Sequence, residues 1–185
     1  KGEAKRKGSG LILAKSAVSK ITGQNIDYGF VIDFSGFEKA VDVLGGLDIT
    51  VDQAFDDFEY PIEGKGDDPC DNKPEDLEKL ATASSQLEAF PCRYEHLHFN
   101  KGLIHMNGDT ALKFVRSRHA KGSEGTDFAR SQRQEKVIEA LKNKAFSLQI
   151  LNPAIILGLY NTLEQSIDTD AKENEFDDII KVAQK

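Results

Sequence analysis

The chain has 185 residues, of which 39% are apolar and 30% are charged. This length fits one domain of about 100–200 residues, and the apolar share is enough for a core, which excludes a disordered or collagen-like chain. The net charge of −7 argues against general nucleic-acid binding. No apolar run is long enough to span a membrane.

The N-terminal segment predicts an arm followed by a helix. Residues 1–8 carry four basic side chains and two glycines, which is typical of a mobile arm. A helix then begins near Ser9, and Gly23 stands where such a helix ends. Its apolar residues fall near one stripe, and we expect that stripe to face the core: Leu11, Ile12, Val18 and Ile21.

A strand, a helix and a second strand follow. Residues 27–34 are a short apolar run that predicts a central strand, and residues 47–51 alternate between apolar and polar like another strand. Between them, Ser35 and Glu38 have the spacing of a capping box, in which each side chain accepts from a free backbone N–H of the first turn. The predicted helix ends at the glycine pair 45–46.

Residues 52–95 differ in composition from their surroundings. The stretch 48–78 holds twelve acidic residues against two lysines, and four of the five prolines lie in 52–95. This composition predicts an acidic insertion with a solvated face. Cys70 and Cys92 each follow a proline, as in a stapled loop, and a disulfide there would contribute about 3 kcal/mol and indicate an oxidising compartment. Two unpaired thiols are the alternative.

The C-terminal half again alternates strand and helix. Residues 96–99 predict a strand, Asp109 can cap a helix, and a long helix follows over residues 128–146. Asn152 and Asp170 are expected to begin two further helices. The side chains expected to face the core are Ala111, Leu112, Val115, Val137, Ile138 and Leu141. The alternation favours an α/β class, a layered α-β-α domain with a mixed central sheet, over residues 1–185.

The arginines are concentrated in one region. The chain has six, and Arg116, Arg118, Arg130 and Arg133 fall within 18 residues. Residues 113–144 hold nine bases and four acids, so a positive segment lies in a negative protein. Arginine binds oxyanions through two parallel hydrogen bonds.

Asp127, Arg130 and Gln134 are spaced to share one helix face. With Arg116 and Arg118 they would form an anion site, for which phosphate or pyrophosphate is the natural ligand. Asp127 would orient an arginine or help to hold a divalent cation. The alternative is a charged helix face with ordinary surface pairs.

Other candidate sites carry weaker signals. His96 and His98 share one face of a strand, but a metal site would need a third ligand, and none is evident from the sequence. His105 and His119 are the remaining histidines. The acidic cluster Asp67, Asp68, Asp71 and Asn72 lacks the spacing of a calcium-binding EF-hand.

The arginine-rich segment carries a specific resemblance. Arg116-Ser117-Arg118, followed by the run Asp127 to Gln134, resembles the R-x-R…D-x-x-R-x-x-R-Q signature of the LytR-CpsA-Psr (LCP) family. Residues 26–49 are similar to the family's stretch leading into its "GGV-x-V" strand. Residues 98–116 are similar to its "L-x-F-x-x-G…L-x-G-x-x-A-L-x-Y-V-R" run. The resemblance covers nearly all of the chain outside 1–8 and 52–95.

The resemblance implies a function. LCP proteins are membrane-anchored enzymes of the outer face of the bacterial cytoplasmic membrane, which transfer glycopolymers from a polyprenyl-pyrophosphate carrier to a peptidoglycan acceptor with Mg²⁺. It implies an LCP-like α/β fold. The residues implied to bind pyrophosphate are Arg116, Arg118, Arg130, Arg133 and Gln134, and those implied to be catalytic are Asp127 and Arg130. The family's metal-binding Asp motif, its first strands and its anchor precede the region that this chain resembles, so the resemblance identifies no metal ligand in this chain.

Two other functions fit the same residues. The chain could be a non-catalytic envelope module that binds anionic glycopolymer or a protein partner through its arginines. Alternatively, the arginines could serve structure alone by pairing with the acidic insertion 52–95.

Overall fold

A computed structural model describes residues 9–76, 83–147 and 166–171. Helix α1 spans Ser9–Thr22 and ends, as predicted, at Gly23, which adopts a left-handed φ of 70°. Leu11 is buried on this helix, whereas the other three residues of the predicted stripe, Ile12, Val18 and Ile21, are exposed. The apolar face of α1 is therefore narrower than its sequence predicts.

The first strand is short and lies at the surface. Strand β1 spans Phe30–Ile32 and pairs antiparallel with β6, Ile167–Thr169, in a two-stranded sheet. All three residues of β1 are exposed. The prediction of a central strand over residues 27–34 is therefore wrong within the described residues.

Two helices begin at caps other than the predicted ones. Helix α2 spans Phe34–Val43, and its N-cap is Asp33, whose side chain accepts from the backbone N–H of Gly36. The predicted box had placed the cap at Ser35. In the later helix of residues 108–116, Asn107 takes the position predicted for Asp109 and accepts from the backbone N–H of Thr110.

The remaining strands form two further antiparallel pairs. Strand β2, Leu47–Val51, pairs with β5, Gly102–Met106, and strand β3, Phe55–Pro61, pairs with β4, Tyr94–Phe99. The α/β class is confirmed, with small antiparallel sheets among the described residues where a mixed central sheet was expected.

Strand β3 corrects the boundary of the acidic insertion. Phe55, Asp57 and Tyr60 are buried on it, so one face of this strand belongs to the core although the strand lies in the acidic run. The connecting segment is therefore 62–93. It contains the short helix α3, Gln86–Ala89, and a disulfide between Cys70 and Cys92.

The core lies between the strands and two helices, α4 over Gly108–Arg116 and α5 over Asp127–Phe146. At its centre, Phe99 stacks on Phe55 at 5.1 Å and meets Phe114 of α4 edge-on at 5.2 Å. On α5, Val137 lies in the core and Leu141 packs against it, while Ile138 is 66% exposed, contrary to the sequence prediction.

Three predictions fall outside the described residues: the arm 1–8, the helix after Asn152 and the last helix. None of the described helices combines the length and the apolar character that crossing a membrane requires.

Candidate functional site

The C-terminal end of α4 and the first two turns of α5 border a cavity of about 610 Å³. Four of the five residues predicted to bind an anion line it. The full lining is Phe34, Asp57, Tyr60, Pro61, Val115, Arg116, Arg118, His119, Arg130 and Gln134. We call this cavity the arginine pocket.

Arg116 is the last residue of α4 and is held between aromatic rings. Its guanidinium carbon lies 4.3 Å from the ring centre of Phe34 and 5.9 Å from that of Tyr60. Stacking on an aromatic face orients the planar guanidinium and leaves its N–H groups free to donate in the plane. Burial raises the pKa of Tyr60 above its ordinary value, so this ring stays neutral.

The position of Arg118 is fixed through its backbone. The buried carboxylate of Asp57 accepts from the Oγ of Ser117 at 2.6 Å and from the backbone N–H groups of Arg118 and His119 at 3.1 and 3.2 Å. Its other oxygen accepts from the backbone N–H of Glu59 at 2.9 Å. Asp57 thus fastens the chain that follows α4 to β3, while the side chain of Arg118 remains at the exposed mouth of the pocket.

Helix α5 contributes Arg130 and Gln134, one turn apart on the same face. Thr126 caps this helix, accepting from the backbone N–H of Ala129. Asp127 is largely exposed and contacts Arg130 at 2.9 Å. It therefore stands where it can orient that guanidinium, although it does not line the pocket.

Arg133 does not face the pocket, contrary to the sequence prediction. Its side chain is buried and donates to the backbone oxygens of Phe114 and Ser117 and to Glu124. Burial lowers the pKa of this guanidinium, whereas the negative charge of the nearby Glu124 acts to raise it. Arg133 ties α5 to the end of α4 and so supports the pocket arginines instead of binding a ligand beside them.

The charge balance of the pocket favours an anion. Among the described residues, neither Arg116 nor Arg118 has a carboxylate partner for its guanidinium, whereas Arg130 pairs with Asp127. The arginine ion pairs that the structure contains in this region lead to Asp127 and Glu124, both outside residues 52–95. This argues against the hypothesis that the arginines serve to neutralise the acidic insertion.

The pocket supplies no evident ligand set for Mg²⁺. Its one lining carboxylate among the described residues, Asp57, already accepts four hydrogen bonds from the protein. Magnesium prefers near-octahedral coordination with carboxylate and water oxygens. The described residues of the pocket therefore do not fit that ion.

Sequence reasoning missed Asp57, Phe34 and Tyr60. Asp57 lies within the acidic stretch 48–78, and acidic residues in such a stretch are ordinarily interpreted as solvent-exposed. The alternation Phe55-x-Asp57 was the available signal, because residues two apart on a strand share a face, and the apolar partner points to the core.

Comparison with known proteins agrees with the resemblance. The chain matches the LytR_cpsA_psr family over residues 3–185. It is 24% identical over 172 residues to the polyisoprenyl-teichoic acid–peptidoglycan teichoic acid transferase TagU of Bacillus mycoides, covering 93% of this chain and 43% of TagU. It is 25% identical over 150 residues to the transferase TagV of Bacillus subtilis, covering 81% of this chain and 30% of TagV.

The fold comparison points the same way. The Lin1025 protein of Listeria innocua superposes with a TM-score of 0.57 at 24% identity, covering 91% of this chain and 54% of Lin1025. This chain spans less than half the length of TagU and of TagV. With a family match that extends over nearly its whole length, the chain belongs to the LytR-CpsA-Psr family.

Proposed function

We propose that this chain supplies the arginine-bearing part of a phosphotransferase site. On this proposal, the protein transfers a teichoic-acid-like glycopolymer from a polyprenyl-pyrophosphate carrier to peptidoglycan. The observation that carries it is the convergence of Arg116, Arg118 and Arg130 on one cavity, with the first two guanidinium groups lacking a carboxylate partner among the described residues. The transferase names of TagU and TagV support the substrate class.

The arginines would act on the pyrophosphate. When a phosphoryl group is transferred, negative charge builds up on the leaving phosphate, and fixed cationic donors stabilise it without reorganising. Arg116 and Arg118 would bind the phosphate oxygens, Arg130 would stabilise the developing charge, and Gln134 would add a neutral donor. Asp127 would hold Arg130 in position through its 2.9 Å contact.

The cellular setting is part of the proposal. Transfer to peptidoglycan places the protein in the cell envelope, on the extracytoplasmic face of the membrane. The Cys70–Cys92 disulfide is compatible with that oxidising location. Magnesium and a membrane anchor remain predictions of the family resemblance, because the lining of the arginine pocket does not fit Mg²⁺ and no described helix could span a membrane.

A binding titration tests the proposal. Farnesyl pyrophosphate is titrated into the wild-type protein and into Arg118→Ala and Arg130→Ala, with and without Mg²⁺. Each substitution removes charge-assisted hydrogen bonds worth about 1.5–3 kcal/mol, so we expect affinity to fall about 10- to 150-fold. Lys142→Ala is the matched control, because it removes one positive charge from the exposed face of the same helix outside the pocket.

The outcomes separate the candidate functions. Loss of binding in both arginine variants, with Lys142→Ala unchanged, supports the pocket. Equal binding by all variants would exclude these arginines as ligands. Binding of purified anionic glycopolymer, but of no prenyl pyrophosphate at any Mg²⁺ concentration, would favour the non-catalytic envelope module.

A further inference from the structure

Two histidines and an aspartate meet on the outer face of the β3–β4 pair. His96 and His98 are two residues apart on β4, and Asp56 of β3 pairs in register with His98. One carboxylate oxygen of Asp56 lies 2.7 Å from Nε2 of His96 and 2.8 Å from Nδ1 of His98. The structure thus places beside both histidines a carboxylate that was not evident from the sequence.

Both ring nitrogens of His98 face an oxygen atom. Nδ1 faces Asp56, and Nε2 lies 3.2 Å from Oδ1 of Asn100. A neutral imidazole carries a single N–H, so it can donate to only one of these oxygens. With Nε2–H donating to Asn100, the lone pair of Nδ1 points at a carboxylate oxygen, and either a proton on Nδ1 or a metal ion bound by both groups removes this repulsion.

We propose that Asp56, His96 and His98 form a binding site for a divalent transition-metal ion, with zinc as the best fit. Zinc takes imidazole nitrogens and carboxylate oxygens at about 2.0–2.2 Å and is most often four-coordinate. Three protein ligands therefore leave one position for water. The site follows from these residues alone and does not rest on the function proposed above.

The surroundings of the three ligands suit this role. The ring of Phe58 stacks on His96 with centres 4.1 Å apart and planes nearly parallel, which restrains that imidazole. Asn100 accepts from the second nitrogen of His98, the contact that usually orients a metal-bound histidine. The backbone oxygen of Asp56 accepts from the N–H of Lys121, which holds the third ligand's strand in place.

Binding an ion would require the three ligand side chains to move closer together. In the structure the two rings flank the carboxylate, and bringing all three ligand atoms to bonding distance requires side-chain rotation. The side chains of His96, His98 and Asp56 are 48%, 46% and 38% exposed, so such rotations are open to them. Ions and water also reach the site directly from solvent.

The site would act on the strand pair. Asp56 precedes Asp57, and successive strand residues point to opposite faces, so the ion would lie across β3 from the arginine pocket. A metal held by β3 and β4 together would fasten the two strands to each other. The cluster Asp68, Cys70 and Cys92 is a poorer candidate, because both sulfur atoms are joined in the disulfide.

Calorimetric titration of ZnCl₂ into tag-free protein, with the disulfide intact, tests the site. We expect one zinc ion per chain for the wild type and loss of this binding in His96→Ala, His98→Ala and Asp56→Asn. Asn100→Ala should weaken binding about 10- to 100-fold, as expected for a residue that orients a ligand. His105→Ala is the matched control, since His105 also contacts a carboxylate, Asp48, at 2.7 Å but without a second histidine.

A second measurement guards against misfolding. Thermal unfolding without metal should be unchanged in the histidine variants, because their side chains are about half exposed. With zinc, the unfolding temperature should rise for the wild type and His105→Ala alone. No zinc binding by the wild type, or binding by His98→Ala equal to the wild type, would overturn the site and leave a protonated His98 as the cation beside Asp56.

Discussion

At the scale of single residues, the carboxylate of Asp57 determines where the pocket arginines stand. It is fully buried and accepts hydrogen bonds from Ser117, Arg118 and His119, which directly follow α4. A buried carboxylate is tolerated when its lone pairs are satisfied, and here the backbone provides most of the donors. The segment bearing Arg118 is therefore fastened to strand β3 by three hydrogen bonds.

The substitution Asp57→Asn should damage both stability and the pocket. Asparagine has the same shape as aspartate, but an NH₂ group replaces one of the two carboxylate oxygens. Whichever oxygen is replaced, at least one buried donor loses its acceptor and faces another donor. We expect the free energy of unfolding to fall by about 2–4 kcal/mol in a urea titration. Prenyl-pyrophosphate binding should weaken as well, because Arg118 loses its anchor.

Two variants bracket this prediction. Ser117→Ala removes one donor and should cost about 1 kcal/mol. Glu59→Gln neutralises a partly exposed carboxylate on the same strand and should leave stability within about 0.5 kcal/mol of the wild type. Equal losses in Asp57→Asn and Glu59→Gln would mean that net charge, and not the hydrogen bonds, is responsible.

Arg133 shows the limit of motif reasoning for a single residue. The signature predicts that Arg133 binds pyrophosphate as Arg130 does, yet the two side chains leave α5 in different directions. The residue three positions on is rotated away by about 60° around the helix, because a residue turns about 100°. Here that rotation carries Arg133 into the interior, where it donates to Phe114 and Ser117.

At the scale of elements, the sequence predicted helices better than strands. Helix α5 has nearly its predicted span, because a helix of five turns gives a long sequence pattern from which to predict it. Strand β5 was not predicted, and β1 proved peripheral. Strand assignments depend on the partner strand and on the buried face, neither of which a short run of residues specifies.

Helix α4 gives a direct test of which residue caps it. Asn107 accepts from the backbone N–H of Thr110, whereas Asp109 lies in the first turn and pairs with Lys113. We expect Asn107→Ala to lower the free energy of unfolding by about 1 kcal/mol, the usual cost of losing an N-cap. Asp109→Ala should cost less. Chemical denaturation of the two variants under the same conditions compares their free energies of unfolding. A larger decrease in Asp109→Ala would mean that Asp109, the cap predicted from the sequence, is the N-cap of α4.

At the scale of the whole molecule, the sequence predicted one side of the arginine pocket. Arg116, Arg118, Arg130 and Gln134 come together because α4 and α5 are joined by a short connection, which local spacing anticipates. The opposite side, with Asp57 and Tyr60, comes from a strand more than fifty residues earlier. Contacts at that separation depend on the tertiary fold, and the acidic composition of the segment concealed them.

The disulfide connects two distant points of the same long segment, so its effect belongs to the whole chain. Cys70 and Cys92 are 22 residues apart, and a bond closing such a loop reduces the conformational freedom of the unfolded chain, which stabilises the fold by about 3 kcal/mol. Adding reductant to the wild type should therefore shift the urea midpoint downwards. The double variant Cys70→Ser/Cys92→Ser should already lie at the lower midpoint and should not respond to reductant. Prenyl-pyrophosphate binding should persist in both proteins at low urea, since Asp57, Tyr60 and Pro61, the β3 residues of the pocket, precede the loop. A wild type that keeps its midpoint in reductant would mean that the remaining loop contacts, such as Arg93 to the backbone oxygen of Asp68, hold the segment without the bond.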